Sequence, residues 1–225
     1  MTSTCHSGLQ NKAAKLHHTI LQTALTAGKG HVPPAFICLK FVVSLDNNGL
    51  LQFYPTQLRW SDRDWFVDGK GYGRLTPYAT LSDLGYISAA ELDGFAGDYS
   101  LLACHPNPRI PGVELISGSL GHGLGISSDL ALSFTLNSKI MLMDDGGCYE
   151  GSASCRVALE EQSSDGIGSI INEHIAASSS GVNFVRLGLP DENPLGPSIR
   201  DWVDPRCRLG ISEFESSIRN AEGRR

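Results

Sequence analysis

A short apolar run that ends abruptly in an acidic, glycine-rich loop constrains the fold of this chain more than any other feature. Residues 139–143 read KIMLM, and residues 144–147 read DDGG. An apolar run of this length, bounded by turn residues, is typical of a parallel strand that is buried on both faces. Such strands belong to sheets covered by helices, so the run predicts an α/β fold with functional loops at the carboxyl ends of its strands.

Helix-forming segments alternate with further short apolar runs along the chain. Ala13, Leu16 and Ile20 recur at helical spacing, and Gly28 follows as a stop signal. Strands are predicted over residues 139–143, 156–160 and 183–189. Helices are predicted over residues 13–27, 33–45, 76–84, 120–136 and 167–177, and capping boxes at Ser88/Glu91 and Ser212/Glu215 predict two more helix starts. We therefore expect an α/β fold with a mainly parallel sheet flanked by helices.

Charge and composition argue against several classes of protein. The 18 basic residues against 24 acidic residues give a formal net charge of −6, whereas nucleic-acid-binding surfaces are basic. No run approaches eighteen apolar residues, and the first residues lack the pattern of a secretory signal peptide. We expect a cytoplasmic protein without nucleic-acid or membrane partners. The 6 cysteines include no C-x-x-C pair, which predicts free thiols rather than disulfides or a zinc site.

The acidic loop after residue 143 is the first candidate site. Asp145 and Glu150 offer carboxylate oxygens, which Mg²⁺ and Ca²⁺ prefer as ligands, and such a cation commonly bridges to a phosphate group. The neighbouring glycines allow backbone N–H groups to approach an anion closely. An exposed acidic turn without a ligand is the alternative interpretation of the same residues.

Four more polar side chains lie on glycine-rich or tight turns. They are His31 in GKGH, Tyr72 in GKGY, His105 in CHP and His122 in GSLGH. A single histidine is usually a satisfied surface or core residue. Several on separate turns, each shortly before a predicted helix, are stronger candidates for functional residues than any one of them alone.

Four segments of the chain, in this order, read AGKGHVPP, DWFVDGKGYGRLTPYATLSDLGYIS, HPNPRIPGVELISGSLGHGLGISSDLALS and MLMDDGGCYEGS. Together they resemble the pyrophosphate domain of transketolases, which binds thiamine diphosphate. The resemblance runs from about Leu16 to Ser152. It implies a pyrophosphate-type α/β domain, thiamine diphosphate as the cofactor, and transfer of a two-carbon ketol unit as the activity.

The last third of the chain is similar to a different part of the same family. RVALEEQSSDGIGSIINEHIA, NFVRLGLPDENPLG and LGISEFESSIRNA resemble the end of the transketolase C-terminal domain. The resemblance implies a partial pyrophosphate domain over residues 1–154 and a partial C-terminal-domain segment over residues 155–225, packed as one unit. The pyrimidine-binding domain, which lies between these parts in the family, has no counterpart here.

The resemblance implies functional roles for those positions of this chain that match site residues of the family. Proton handling and substrate orientation are implied for His31 and His105, and His122 is a further imidazole available for acid–base catalysis. A divalent cation, Mg²⁺ or Ca²⁺, is implied at Asp145. Contacts with thiamine diphosphate are implied for Tyr72, Gly118, Leu120, Asp145, Gly146 and Glu150.

Several positions depart from the family pattern. Asp144 replaces a glycine, Tyr72 replaces an imidazole near the diphosphate, and His122 replaces a glutamine. The asparagine that completes the metal site, and the glutamate that activates the cofactor, belong to segments without a counterpart here. A partner chain, another carboxylate or a different mechanism would have to take their place.

These observations favour a truncated, transketolase-like transferase that moves a two-carbon ketol unit from a ketose to an aldehyde. Two alternatives stay open: a non-catalytic relative that acts as a binding or assembly partner, and a cofactor-independent carboligase that uses the histidines. Because the missing domains leave one side of the pyrophosphate domain uncovered, we expect a homodimer or a heteromer.

Overall fold

The structure of the protein is a computed structural model, and its elements fall into two compact units. The structure describes residues 2–47, 50–69, 71–113, 115, 122–133, 140–143, 157–162, 185–189 and 210–223. The first unit comprises Met1–Arg63 and Gly71–Gly118, and the second comprises Asp64–Lys70 and Ser119–Arg225. The predicted domain boundary at residues 154–155 lies outside the described residues and stays a prediction.

The first unit is helical, and its two longest helices were predicted, the first from apolar spacing and the second from two prolines followed by an apolar run. Helix α1 spans Thr2–Ala27 and α2 spans Val32–Asn47. Leu9, Leu16 and Ile20 form part of the buried stripe of α1, because side chains three and four residues apart share one helix face. The C-terminal half of α2 is buried on nearly all sides, from Phe41 to Leu45. The helix α1 therefore covers the core, and α2 runs through it.

Shorter helices complete the first unit. A 3₁₀ turn at Gly71–Gly73 leads into α3, Leu75–Asp83, and α4 spans Ala89–Asp93. Helix α3 packs against both α1 and α2. The predicted capping box before α4 is confirmed, since the Glu91 carboxylate accepts a hydrogen bond from the Ser88 N–H at 3.0 Å.

The second unit contains a four-stranded parallel sheet. Its elements are β1 (Trp65–Asp68), α5 (His122–Ser133), β2 (Ile140–Met143), β3 (Val157–Gln162), β4 (Val185–Leu189) and α6 (Ile211–Gly223). The strand order is β1-β2-β3-β4, and every pairing is parallel. Helix α5 contacts β1 and β2, and α6 contacts β4. The predicted α/β fold with a parallel sheet flanked by helices is confirmed.

The structure differs from the sequence predictions at two elements. Strand β1 was not predicted, because its four residues WFVD are too few to show a period and end in an Asp-Gly turn signal. The predicted capping box at Ser212 and Glu215 is wrong. The helix begins at Ile211, the Ser212 hydroxyl lies 2.7 Å from the Glu213 carboxylate, and Glu215 is buried. The helix predicted over residues 167–177 lies outside the described residues.

The sequence predictions on disulfides and on membrane-spanning segments can be compared with the described residues. Neither of the two cysteines whose side chains are described, Cys38 and Cys104, is in a disulfide. Across the described part of the chain, no helix has both the length and the apolar character needed to cross a membrane.

Candidate active site

The turn that carries His31 is fixed by two glycines between α1 and α2. Gly28 has φ +64° and Gly30 has φ +138°, a range that side chains rarely tolerate. A Cβ atom on Gly30 would lie 2.9 Å from Leu75 Cδ1 and 3.6 Å from Phe95 Cε1. The turn therefore rests directly on the first residue of α3 and on the Phe95 ring, and the exposed His31 follows it.

The loop that carries His105 is attached to the same helix. The Tyr78 hydroxyl on α3 donates a hydrogen bond to the Ala103 carbonyl oxygen at 2.9 Å, two residues before His105. The Tyr78 and Phe95 rings meet edge to face, with centroids 6.0 Å apart. Phe95 thus touches both the turn before His31 and the tyrosine that holds the His105 loop. Both segments are joined through one buried aromatic pair.

Tyr72 lies in the 3₁₀ turn that precedes α3. The adjacent Gly73 packs against the first turns of α2, since its Cβ would lie 3.4 Å from Cys38 Sγ. In the first turn of α3, the Thr76 hydroxyl donates a hydrogen bond to the Ala35 carbonyl oxygen at 2.5 Å. The half-buried Tyr72 is consequently held on a segment that packs on the helix beginning just after His31.

Two histidines of the first unit are open to solvent. His31 and His105 are both exposed, and neither imidazole hydrogen-bonds to another residue in the described part of the chain. Such imidazoles are available to bind a ligand or to transfer a proton. Together with the contacts described above, this places His31, Tyr72 and His105 on segments that are joined within one unit.

The remaining predicted site residues belong to other parts of the chain. His122 is the exposed first residue of α5, in the second unit. The acidic segment follows β2 in the sequence, and the carbonyl oxygen of Met143, the last residue of β2, accepts a hydrogen bond from the Gly69 N–H at 2.8 Å. No group of three or more potential metal ligands occurs among the residues that the structure describes. Five predicted site residues lie outside them: Gly118, Leu120, Asp145, Gly146 and Glu150.

One charged residue that the sequence motifs did not indicate lies beside these segments. Arg74 is the N-cap of α3 and is only 5% exposed. Its Nε and Nη1 atoms are buried without a hydrogen-bond partner among the described residues. The signal available in the sequence was a lone basic residue in an otherwise small and apolar stretch, GYGRLTPYA.

Electrostatics also fix α1 against α3, away from the histidines. Asp83 accepts from Lys12 Nζ at 2.6 Å and from Lys15 Nζ at 2.9 Å. Burial raises the pKa of Asp83, but the hydrogen bonds and charges of the two lysines outweigh burial and hold the pKa below its usual value of 3.8. This ion-pair cluster is structural, since it clamps the helix that carries Tyr78.

Comparison with known families identifies the class of protein. Residues 12–144, more than half of the 225-residue chain, match the family model described as transketolase, thiamine diphosphate binding domain. The chain belongs to this family, as its sequence motifs predicted.

Similar proteins include transketolase relatives of greater length. The chain is 29% identical over 148 residues to an apulose-4-phosphate transketolase subunit of Phocaeicola vulgatus, and the alignment covers 64% of this chain and 52% of that protein. It is 30% identical over 149 residues to transketolase-like protein 2 of Bos taurus, covering 64% of this chain and 24% of that protein. The chain thus spans about half the length of the first relative and about a quarter of the length of the second.

Solved structures support the fold. The transketolase of Campylobacter jejuni superposes with a TM-score of 0.69 at 18% identity, covering 99% of this chain and 36% of that one. The Pichia stipitis transketolase complex with sedoheptulose 7-phosphate gives a TM-score of 0.68 at 20% identity, covering 95% and 34%. At this identity the likeness concerns the fold alone.

Proposed function

We propose that this protein is a transketolase-type transferase that moves a two-carbon ketol unit from a ketose to an aldehyde. The observation that carries the proposal is the contact between the His31 turn and the His105 loop through Phe95 and Tyr78. Two solvent-open imidazoles on joined segments suit a reaction in which protons move as carbon–carbon bonds break and form. Family membership over residues 12–144 supports the same reaction class.

Thiamine diphosphate is the cofactor that this proposal requires. When bound, it supplies the nucleophilic carbon that cleaves the donor ketose. The residues of the first unit fit an anionic cofactor, because Arg74 buries two hydrogen-bond donors that have no partner among the described residues. We extend the proposal to a divalent cation, Mg²⁺ or Ca²⁺, at Asp145, with Gly118, Leu120, Gly146 and Glu150 contacting the cofactor.

The histidines would act on the substrate. His105 would orient a hydroxyl of the donor and take or return its proton, and His31 would do the same from the neighbouring turn. Both tasks need an imidazole that is free to change partners during the reaction. The exposure of both side chains supports these roles.

A partner chain is part of this proposal. These 225 residues contain no segment that resembles the family's pyrimidine-binding domain. We propose that a partner chain supplies the groups that activate the cofactor. Support comes from the relative in Phocaeicola vulgatus, whose name describes one subunit of a transketolase. We propose that this chain likewise works as one component of a heteromer, or as a homodimer.

The test is a comparison of two histidine variants. His105→Ala should lower ketol transfer roughly 10²–10⁴-fold, since it removes one positioned acid–base group. His18→Ala is the matched control, because His18 is exposed on α1 and should leave turnover unchanged. His17 is the poorer control of these two neighbouring histidines, since the centroid of its ring lies 4.6 Å from that of Phe36.

The assay uses a hydroxypyruvate-type donor and a short aldehyde, with thiamine diphosphate, Mg²⁺ and any partner chain that co-purifies present. Equal turnover in His105→Ala and His18→Ala would exclude the joined histidines as the active site. Cofactor binding by calorimetry without any turnover would instead favour a non-catalytic assembly partner, which the replacement of an imidazole by Tyr72 also favours. Turnover without cofactor binding would favour a cofactor-independent carboligase.

A further inference from the structure

A buried arginine without a counter-charge among the described side chains of its unit lies at the start of α3. The Arg74 side chain is almost wholly removed from solvent, and its Nε and Nη1 donors make no hydrogen bond within the described part of the chain. Burying an ionised guanidinium is costly unless it is paired, and most buried polar groups in proteins have partners. An arginine remains charged at any physiological pH, so it does not escape this cost by losing its proton.

The described acidic side chains of the first unit do not supply the missing charge. Asp83 is engaged by Lys12 and Lys15, and the Glu91 carboxylate caps α4. The other described acids of this unit are exposed at the surface, unlike Arg74: Asp62, Asp93 and Asp98. The group that pairs with Arg74 therefore does not come from the described side chains of its own unit.

The position of Arg74 indicates the chemistry of that group. It follows the Gly71–Gly73 turn by one residue and Tyr72 by two residues. At Tyr72 the chain resembles the family motif near the diphosphate but has lost its imidazole. The guanidinium two residues further on offers hydrogen-bond donors directly after the turn that carries Tyr72.

We propose that Arg74 binds a phosphate group of an anionic ligand and that its guanidinium replaces the donor lost at Tyr72. The planar guanidinium fork matches two phosphate oxygens, which a lysine ammonium or a neutral donor does not. The phosphate belongs either to thiamine diphosphate or to a sugar phosphate substrate. The inference rests on the proposed function, since it assigns a binding residue to the same site.

The central experiment titrates inorganic pyrophosphate into the full chain in the presence of Mg²⁺. Arg74→Met keeps the length and volume of the side chain but removes its charge. It should weaken pyrophosphate binding roughly ten- to hundredfold, the range expected for losing charged hydrogen bonds. Arg59→Met is the matched control, because it removes the same charge from an exposed loop and should leave binding unchanged.

Thermal unfolding of the ligand-free variants separates a binding role from a structural one. If Arg74 is held without a partner until ligand binds, Arg74→Met should unfold at the parental temperature or above it, because an uncompensated buried charge is removed. A markedly lower unfolding temperature, or failure to fold, would show that Arg74 supports the fold, and it would overturn the proposal. Unchanged pyrophosphate affinity in Arg74→Met would overturn it as well, as would a parent chain that binds no pyrophosphate.

Paired ligands identify the source of the phosphate. Thiamine diphosphate is compared with thiamine, and fructose 6-phosphate with fructose, each on the parent and on Arg74→Met. The ligand belongs to the pair in which the phosphorylated member loses affinity for the variant while the unphosphorylated member does not. If neither phosphorylated compound loses affinity, the proposal is contradicted. Because these titrations require no turnover, their outcome is independent of the His105→Ala assay that tests ketol transfer.

Discussion

At the scale of single residues, Gly30 shows how a backbone requirement reaches the site. Its φ of +138° is strained for any side chain, and the close approach of Leu75 Cδ1 leaves only 2.9 Å for a Cβ. We expect Gly30→Ala to lower the free energy of unfolding by about 1–3 kcal/mol, and ketol transfer should fall with it as the His31 turn shifts. Chemical denaturation measures the first effect and the turnover assay the second.

Gly8→Ala is the control for this prediction. Gly8 is an exposed position within α1, and nothing lies within 4 Å of its Cβ position. Alanine there should raise the free energy of unfolding by about 0.5–1 kcal/mol, because it restricts the unfolded chain and favours the helix. If the two alanine variants had equal stability, the strained turn at Gly30 would not exist.

The sequence revealed part of the candidate site at this scale. His31 and His105 were accessible to prediction because glycine and proline mark their turns. Arg74 was not, since burial depends on how Gly71–Gly73 and α3 pack against α2, and no local pattern records that packing. The contact between the His17 and Phe36 rings was also not predictable, because it joins two helices whose relative position the sequence leaves open.

At the scale of elements, the ion-pair cluster between α1 and α3 gives a pH-dependent prediction. Asp83 is 13% exposed and its pKa lies below 3.8, so Asp83→Asn should lower the free energy of unfolding by about 0.5–1 kcal/mol near pH 7. A lowered folded-state pKa means that the carboxylate stabilises the fold above its unfolded pKa. This stabilisation is lost as the pH falls through the folded value.

The measurement is urea denaturation of parent and variant from pH 7 down into the acid range. The difference between the two should be largest near neutral pH and should vanish below the folded pKa of Asp83. Asp93→Asn, at the exposed end of α4, should give no such difference at any pH. If the difference in free energy of unfolding between parent and Asp83→Asn stayed constant with pH, the ionised carboxylate would not be its cause.

Elements with many residues were predicted better than short ones. The apolar period of α1 and the apolar run of α2 each extend over several turns, so both helices were visible in the sequence. Strand β1 has four residues and gains its identity from pairing with β2, for instance Val67 with Leu142, which is a long-range contact. Ser212 failed as a cap for a related reason, because Gly210 and Ile211 already start the helix.

At the scale of the whole molecule, self-association or association with a partner is the main expectation. The chain spans about half or less of the relatives that it matches, and α1 exposes large apolar side chains at Leu21 and Leu25, one turn apart. We expect light scattering to give a mass above the 24.2 kDa of a single chain, either alone or with a co-expressed partner. A single-chain mass across a wide concentration range, with no complex captured during co-expression, would contradict this expectation.

The backbone passes between the two units at residues 63–64, 70–71 and 118–119, and this threading has a consequence for how the chain can be cut. A gene fragment that starts at Ser119 would lose β1 and leave β2 as a bare sheet edge, ready to pair with other chains. A fragment that stops at Gly118 would carry β1 away from the strand it pairs with. Neither cut therefore separates the two units cleanly, because each one parts β1 from the strand that it pairs with.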